Sequence, residues 1–497
     1  MSIERLLWEE DATGLAARVK AGDVAPAELV EAAISRAERL APQINPIAER
    51  LYERARAKAV TVDRAAPFAG VPFAMKDIGA VVKGVPLHSG SRIPPFVADW
   101  SSTVFERAEA AGLVTIATTT TPEWGLRLVT ETARFGITRN PWNPGHTTGG
   151  SSGGSAAVVA AGIVPVAHAS DGGGSIRVPS ACCGLVGLKT SRGRVPLTPY
   201  TTEGWHGFVV QHAVTRSVRD CAGLLDVFAG SDGLAAYGQE RPATTFAEAA
   251  ATRPGRLRIG VVRDTPLGLP VDPEVEKAMD TAVALARDAG HTIEEIRLPI
   301  DGRAFLTDFA RVVAGCAAGE LRYLEGRQGR RLESLLERQS RAIARLGELL
   351  SGGEHTAALT RLDQAAIAII RDTARFDAVF MPILAHPPVA VGGMDSKGLD
   401  LFLEEVLDRL HLTILLRIPS IFAKLLDQSF WFTPWTPIAN VTGQPSIALP
   451  VHVTAKGLPL GIQATGRPGG EATLLALAAE MEAASGWTTR RAPIEVP

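Results

Sequence analysis

Two glycine–serine clusters, "GGSSGGS" at Gly149–Ser155 and "GGGS" at Gly172–Ser175, flank one short apolar segment, "AAVVAAGIVPVAHA". Glycine loses more backbone freedom on folding than any other residue, so a chain this dense in it needs space or angles that larger residues forbid. Both clusters run into apolar sequence. Ser155–Gly162 reads as a buried helix, and "GLVGLK" follows the second cluster. Loops tied to packed elements on both sides are where catalytic groups gather.

The second cluster has the chemistry of a nucleophile turn. Gly172, Gly173 and Gly174 precede Ser175, and their N–H groups can form a concave nest for the oxyanion of an acyl-transfer intermediate. A serine hydroxyl is a weak nucleophile and needs a base. The nearest histidines are His146 and His168, and His168 lies in an apolar run where it reads as a core residue. Local sequence alone leaves the base open.

The surrounding pattern is α/β. "AELVEAAISRAERL" has helical apolar spacing behind Pro26, and "FAGVPFAM" and "GLVTIATT" read as strands around a helix at about 102–112. "RLRIGVVRD", "DPEVEKAMDTAVALARDAG" and "HTIEEIRLP" give strand, helix and strand, with Asp272 as helix cap and Gly290 as its stop. That rhythm predicts a central mixed, mostly parallel twisted sheet flanked by helices. Residues 303–375 read as mostly helical, "FDAVFMPIL" as a buried strand, and 398–430 as apolar helix ending in "FWFTPW".

Bulk properties exclude several classes. A net charge of -2 over 497 residues offers no footprint for nucleic acid or an anionic membrane. The N-terminus is charged from Glu4, which argues against a signal peptide, and the apolar run from Ala156 is too short for a bilayer and contains Pro165. Four cysteines, two of them adjacent at Cys182 and Cys183, suit a reduced, cytoplasmic protein. No His/Cys spacing suggests a metal, and neither metal nor cofactor is expected.

"GGSSGGSAAVVAAG…ASDGGGSIRVPSACCGLVGLK" resembles the signature of the amidase signature family of serine hydrolases. "GVPFAMKD" resembles the block that supplies that family's lysine, and the likeness continues through "TPEWG", "TRNPWN" and "ANVTGQPSIALPV". The resemblance implies the amidase-signature fold and a Ser-cisSer-Lys triad. Ser175 is then the nucleophile, Ser151 the bridging serine at a cis peptide bond, and Lys76 the base. Gly172, Gly173, Gly174 and Ser175 supply the oxyanion hole, Ser152 supports Lys76, and Asp171 and Arg177 brace the turn as an ion pair. Two departures stand out. Ala169-Ser170-Asp171 replaces the usual Gly-Thr-Asp, and Ala117-Thr118-Thr119-Thr120 replaces Gly-Lys-Thr-Asn.

The expected organisation is an N-terminal helical arm (1–65) and a single catalytic domain (66–497), with the signature core at about 70–230 and a variable pocket region at about 300–437. Within the family, the chain is most similar to nylon-oligomer hydrolases of the 6-aminohexanoate cyclic-dimer type and to aryl-acylamide and carbamate (urethane) hydrolases. This implies hydrolysis of small apolar or aryl amides through a serine acyl-enzyme, with carbamates and esters as further candidates, by a monomer or homodimer. Trp124, Gly125, Thr148, Gly149, Phe432 and Trp435 are the expected substrate-binding residues, with Phe430 and Trp431 near the same cleft.

Three alternatives compete. Gly150–Gly154 matches G-x-S-x-G with Ser152 as an α/β-hydrolase nucleophile, but "NPWNPGHTT" before it reads as turn rather than strand. A phosphate nest lacks a GK[ST] or strand-borne G-x-G-x-x-G. A glutamine-amidotransferase subunit shares the triad, but the tyrosine-rich stretch of such subunits is not evident in a chain with four tyrosines.

Overall fold

The computed structural model describes residues 2–235, 237–397, 401, 405 and 412–494. Eleven strands form one sheet: β1 (Ile47–Arg50), β2 (Pro72–Lys76), β3 (Val114–Thr119), β4 (Val166–Asp171), β5 (Val186–Lys189), β6 (Val210–Thr215), β7 (Arg258–Val261), β8 (Thr292–Glu295), β9 (Ala378–Pro382), β10 (Ser446–Val453) and β11 (Pro459–Gly466). Their spatial order is β1-β3-β2-β4-β6-β5-β10-β11-β9-β7-β8.

The sheet is mixed, as expected. Its parallel pairs lie toward the flanks, where helices cross between strands: β3-β2-β4 on one side and β9-β7-β8 on the other. The other six of the ten pairings are antiparallel and include the central run from β4 to β9. The β10–β11 hairpin shows why: a tight turn closes between Thr454 and Leu458, leaving no room for a crossover helix.

The parallel pairing of β2 with β4 positions the site. Phe73 faces Val166 and Ala74 faces Ala167, so the two strands end at the same edge. Lys76 is the last residue of β2, and Asp171 is the last of β4. Ligands in such sheets bind beyond the carboxyl ends of the strands.

Helices cover both faces. Gly153–Ala160 is buried on every side, as its small and largely apolar residues allow. Helix Pro273–Asp288 starts where expected, with the Asp272 side chain accepting the Glu274 N–H. The N-terminal helices bury Leu7, Leu15, Val19, Leu29 and Leu40 in the same core as Phe73 of β2. Within the expected helical arm, "IAER" at Ile47–Arg50 is an edge strand, too short and polar to be told from a helix by periodicity. A second core lies between helices Gly302–Gln328 and Gly352–Thr373 and includes Phe309, Leu362 and Trp435. Of the apolar stretch 398–430, Pro419–Phe430 is helical, and residues 398–411, except Leu401 and Glu405, lie outside the described residues. Among the described residues, no helix is long and apolar enough to cross a membrane.

Candidate active site

Three backbone segments meet beyond the ends of β2 and β4. Lys76 is 1% exposed, Ser151 3% and Ser175 5%. The Lys76 Nζ lies 2.8 Å from Ser151 Oγ, and the Gly150–Ser151 peptide is cis. The N–H of Ser152 donates to the carbonyl of Ser175 at 3.2 Å, which ties the two serine-bearing turns together. Ser175 Oγ itself has no hydrogen-bond partner among the described residues.

The glycines are spacers here. At Gly125, φ is +69°, and a Cβ would sit 3.2 Å from Ser151 Oγ. At Gly174, φ is +133°, and a Cβ would meet Thr436 Oγ1 at 2.5 Å. Gly174 has no room for a side chain, and one at Gly125 would be strained by the positive φ and press on Ser151.

Burial sets the electrostatics. It pushes the Lys76 amine down to about 7, against a smaller upward pull from the Asp171 carboxylate. Burial also opposes ionisation of Asp171, but the Arg177 charge and hydrogen bonds from Arg177 and Asn440 overcome it and hold the carboxyl well below its usual range. Arg177 binds Asp171 with two nitrogens, each at 3.0 Å, and both residues are fully buried. His168 is a core residue, as its sequence context suggests. Its Nε2 pairs with Gln211 at 3.0 Å, and burial pushes it down to about 3.

Several expected roles shift. Ser152 does not contact Lys76; its hydroxyl donates to the Ser170 carbonyl at 3.2 Å, and Ser170 reaches the amine. The Gly174 N–H donates to Asp171 Oδ1 at 2.7 Å and is not free to hold an oxyanion. The N–H groups of Gly172, Gly173 and Ser175 have no acceptor among the described residues, so the nest narrows to these three. "NPGHT" is a short strand, Asn143–Thr147, but it pairs in a separate hairpin outside the main sheet. With Ser152 fully buried, no α/β-hydrolase elbow forms.

A cleft of about 310 Å³ opens over Ser175. Gly125, Leu126, Leu128, Val129, Gly173, Trp205, Phe309, Ile343 and Phe430 are among its walls. Trp205 and Phe309 crowd the nest, 2.9 Å from where a Cβ on Gly172 would lie and 3.1 Å from one on Gly173. Three arginines line the cleft: Arg127 pairs with Asp395 at 2.6 Å, Arg345 with Glu333 at 2.5 Å, and Arg338 donates to the Leu401 carbonyl at 3.5 Å.

Gly125 and Phe430 therefore line the cleft, but six expected residues do not. Trp124 packs against Ile93, Leu321 and Leu332. Thr148 is fully buried with its hydroxyl on the Gly149 carbonyl, and a Cβ on Gly149 would press on Pro179 and Cys182. Phe432 belongs to the main core, and Trp435 to the second core with its indole N–H on the Asp264 carbonyl. The reason is local: the helix ends at Phe430, and the aromatic run then turns inward. Trp431 also packs on the main core, edge-on to His386 at 5.1 Å.

The sequence also concealed supporting residues. Asn440 donates to Asp171 Oδ1 at 2.8 Å and accepts from Arg177 at 2.6 Å; Gln463 accepts from Arg177 at 2.6 Å. A lone glutamine in the apolar run "PLGIQATG" was the one visible signal.

A model of the Amidase family matches residues 28–475. The chain is 34% identical over 498 residues to the 6-aminohexanoate-cyclic-dimer hydrolase of Paenarthrobacter ureafaciens, covering 98% of this chain and 96% of that protein. A solved 6-aminohexanoate cyclic dimer hydrolase superposes with a TM-score of 0.87 at 32% identity, covering 98% of this chain and 99% of the other. A bacterial aryl acylamidase superposes with a TM-score of 0.84 at 26% identity, covering 97% of each chain.

Proposed function

We propose a mechanism from one premise: this chain belongs to the Amidase family and hydrolyses carbon–nitrogen bonds of non-peptide amides. Lys76, uncharged, accepts the Ser151 hydroxyl proton as Ser151 takes that of Ser175. Ser175 Oγ attacks the amide carbon. The N–H groups of Gly172, Gly173 and Ser175 hold the oxyanion, each worth about 3–4 kcal/mol in such sites. The proton returns through Ser151 to the departing nitrogen, leaving an ester on Ser175. Water then attacks by the same relay and releases the acid. The observation that carries this reading is the 2.8 Å contact between Lys76 Nζ and Ser151 Oγ in a fully buried setting.

The substrate we propose is a small neutral amide with apolar or aryl flanks. The cleft walls are mostly aliphatic and aromatic, and two of the three arginines along them are already held by carboxylates. The names of the cyclic-dimer hydrolase and the aryl acylamidase fit that class. Carbamates and esters present the same acyl carbon and belong to the proposed range. Four free cysteines suit a cytoplasmic setting.

A panel of nitroanilides, oligoamides, carbamates, simple amides and glutamine tests the substrate class. Ser175→Ala and Lys76→Ala should lose turnover, and a serine-directed inhibitor should label Ser175. Glutamine turned over as well as the anilides would overturn the substrate reading. An unlabelled Ser175 would overturn the nucleophile.

A further inference from the structure

The amine of Lys76 has three polar neighbours, and only one of them belongs to the relay. Besides Ser151 Oγ at 2.8 Å, it meets Ser170 Oγ at 3.0 Å and the Ser170 carbonyl at 3.3 Å. We infer that Ser170 is a positioning residue that aims the Lys76 lone pair at Ser151. The inference rests on the reading of Lys76 as the base.

A neutral amine has two N–H groups and one lone pair. The Ser170 carbonyl can only accept, so it takes one N–H. Ser170 Oγ takes the other. The lone pair is left facing the Ser151 hydroxyl, the one orientation in which Ser151 can hand over its proton. Without the Ser170 hydroxyl, the remaining acceptors are the Ser170 carbonyl and Ser151 Oγ. The second N–H then turns to Ser151, which becomes an acceptor when it must be a donor.

The same three oxygens suit the charged state. After Lys76 gains the proton, its three N–H groups face three acceptors: the Ser170 carbonyl, Ser170 Oγ and Ser151 Oγ. Loss of Ser170 Oγ thus removes a partner of the ammonium and lowers the basicity of the amine. The other charged or titratable neighbours are Asp171 with its partner Arg177, His168 against the Lys76 backbone N–H, and Asp77, which burial pushes up to about 7. All four stay in place in Ser170 variants, so their titrations cancel in the comparison.

The test is the pH profile of kcat/KM for Ser170→Ala, Ser170→Cys and Ser170→Thr, with active sites counted by burst titration. Ser170→Ala and the near-isosteric Ser170→Cys should lose about 10- to 100-fold in kcat with KM little changed, part of the 10²–10⁴ that general-base catalysis supplies. Their acidic limb should move to lower pH, and Ser170→Thr should restore both rate and limb. Two results overturn the inference: Ala and Cys variants within twofold of wild type, or a rate loss with an unmoved limb. If Ser170→Ala does not fold, the Cys and Thr pair decides. An active Lys76→Ala enzyme would instead sink the underlying base assignment.

Discussion

Replacing Lys76 with methionine should abolish turnover and shift stability in favour of the variant, relative to wild type, as the pH falls toward neutrality. In the unfolded chain the amine stays protonated up to its ordinary value of 10.5, whereas the native protein releases that proton at about 7. Between these values the unfolded state binds the extra proton. Wild-type stability therefore declines as the pH drops, by about 1.4 kcal/mol per pH unit, and this slope vanishes below the native value. The whole gap corresponds to about 5 kcal/mol. Methionine keeps most of the buried stem and carries no charge. It leaves Ser151 and Ser170 each short of a partner, a cost of about 1–3 kcal/mol per buried group that does not depend on pH. That cost shifts the whole curve and leaves its slope intact. The assay is the Tm of both proteins from about pH 6 to about pH 9.5, the range over which the linkage acts. The Tm of the methionine variant minus that of wild type should rise as the pH falls toward 7 and then level off. Lys189, which burial also pushes down to about 7, is present in both proteins and cancels. A difference that stays constant across the range would refute a buried, uncharged amine.

Wild-type kcat/KM should rise through about pH 7 as Lys76 loses its proton; a profile without an acidic limb there would count against the relay. Gly174→Ala forces a Cβ onto Thr436 at a φ of +133°, and should cost about 1–3 kcal/mol of stability and lower kcat more than it raises KM. Urea unfolding and steady-state kinetics measure both effects. Trp435→Ala should lose about 3–5 kcal/mol while leaving the KM of the folded enzyme unchanged, because Trp435 fills the core. Phe430→Ala should do the reverse, raising KM for apolar substrates with a smaller effect on Tm.

Sequence reading reached the strands β2, β3, β7 and β9 and the buried helix at Gly153–Ala160 through their apolar patterns, and β8 through its place just after the helix stop at Gly290. It missed β1 because four residues with two charges show no period. Lys76, Ser151 and Ser175 were legible as a constellation, since ordered blocks of sequence resemble a family. The cleft residues were not. An aromatic run names large apolar side chains but not which way each points, and a single turn after Phe430 sends Phe432 and Trp435 into different cores. The role of Ser170 was hidden for another reason. A serine near the end of a strand is unremarkable until its neighbours across the sheet are known, and the contact with Lys76 spans 94 residues.

Asp171 unites the two halves of this site. Its negative charge would repel the oxyanion forming on the other side of the glycine turn if it stood alone. Arg177 cancels it with two hydrogen bonds, and Asn440 and Gln463 fix that guanidinium in turn. The carboxylate then does local work. By capturing the Gly174 and Ile176 N–H groups at 2.7 and 3.1 Å it fixes the turn and leaves the Ser175 N–H between them unclaimed. Across the strand end, its residual charge raises the Lys76 amine slightly against the depression caused by burial. A base needs to be uncharged at rest yet avid enough to take a proton, and its efficiency peaks when its pKa lies near the working pH. Burial alone would leave the amine a weaker base. The buried ion pair therefore sets the balance of the relay as well as the shape of the nest, which explains why two charges occupy a place where apolar side chains could pack.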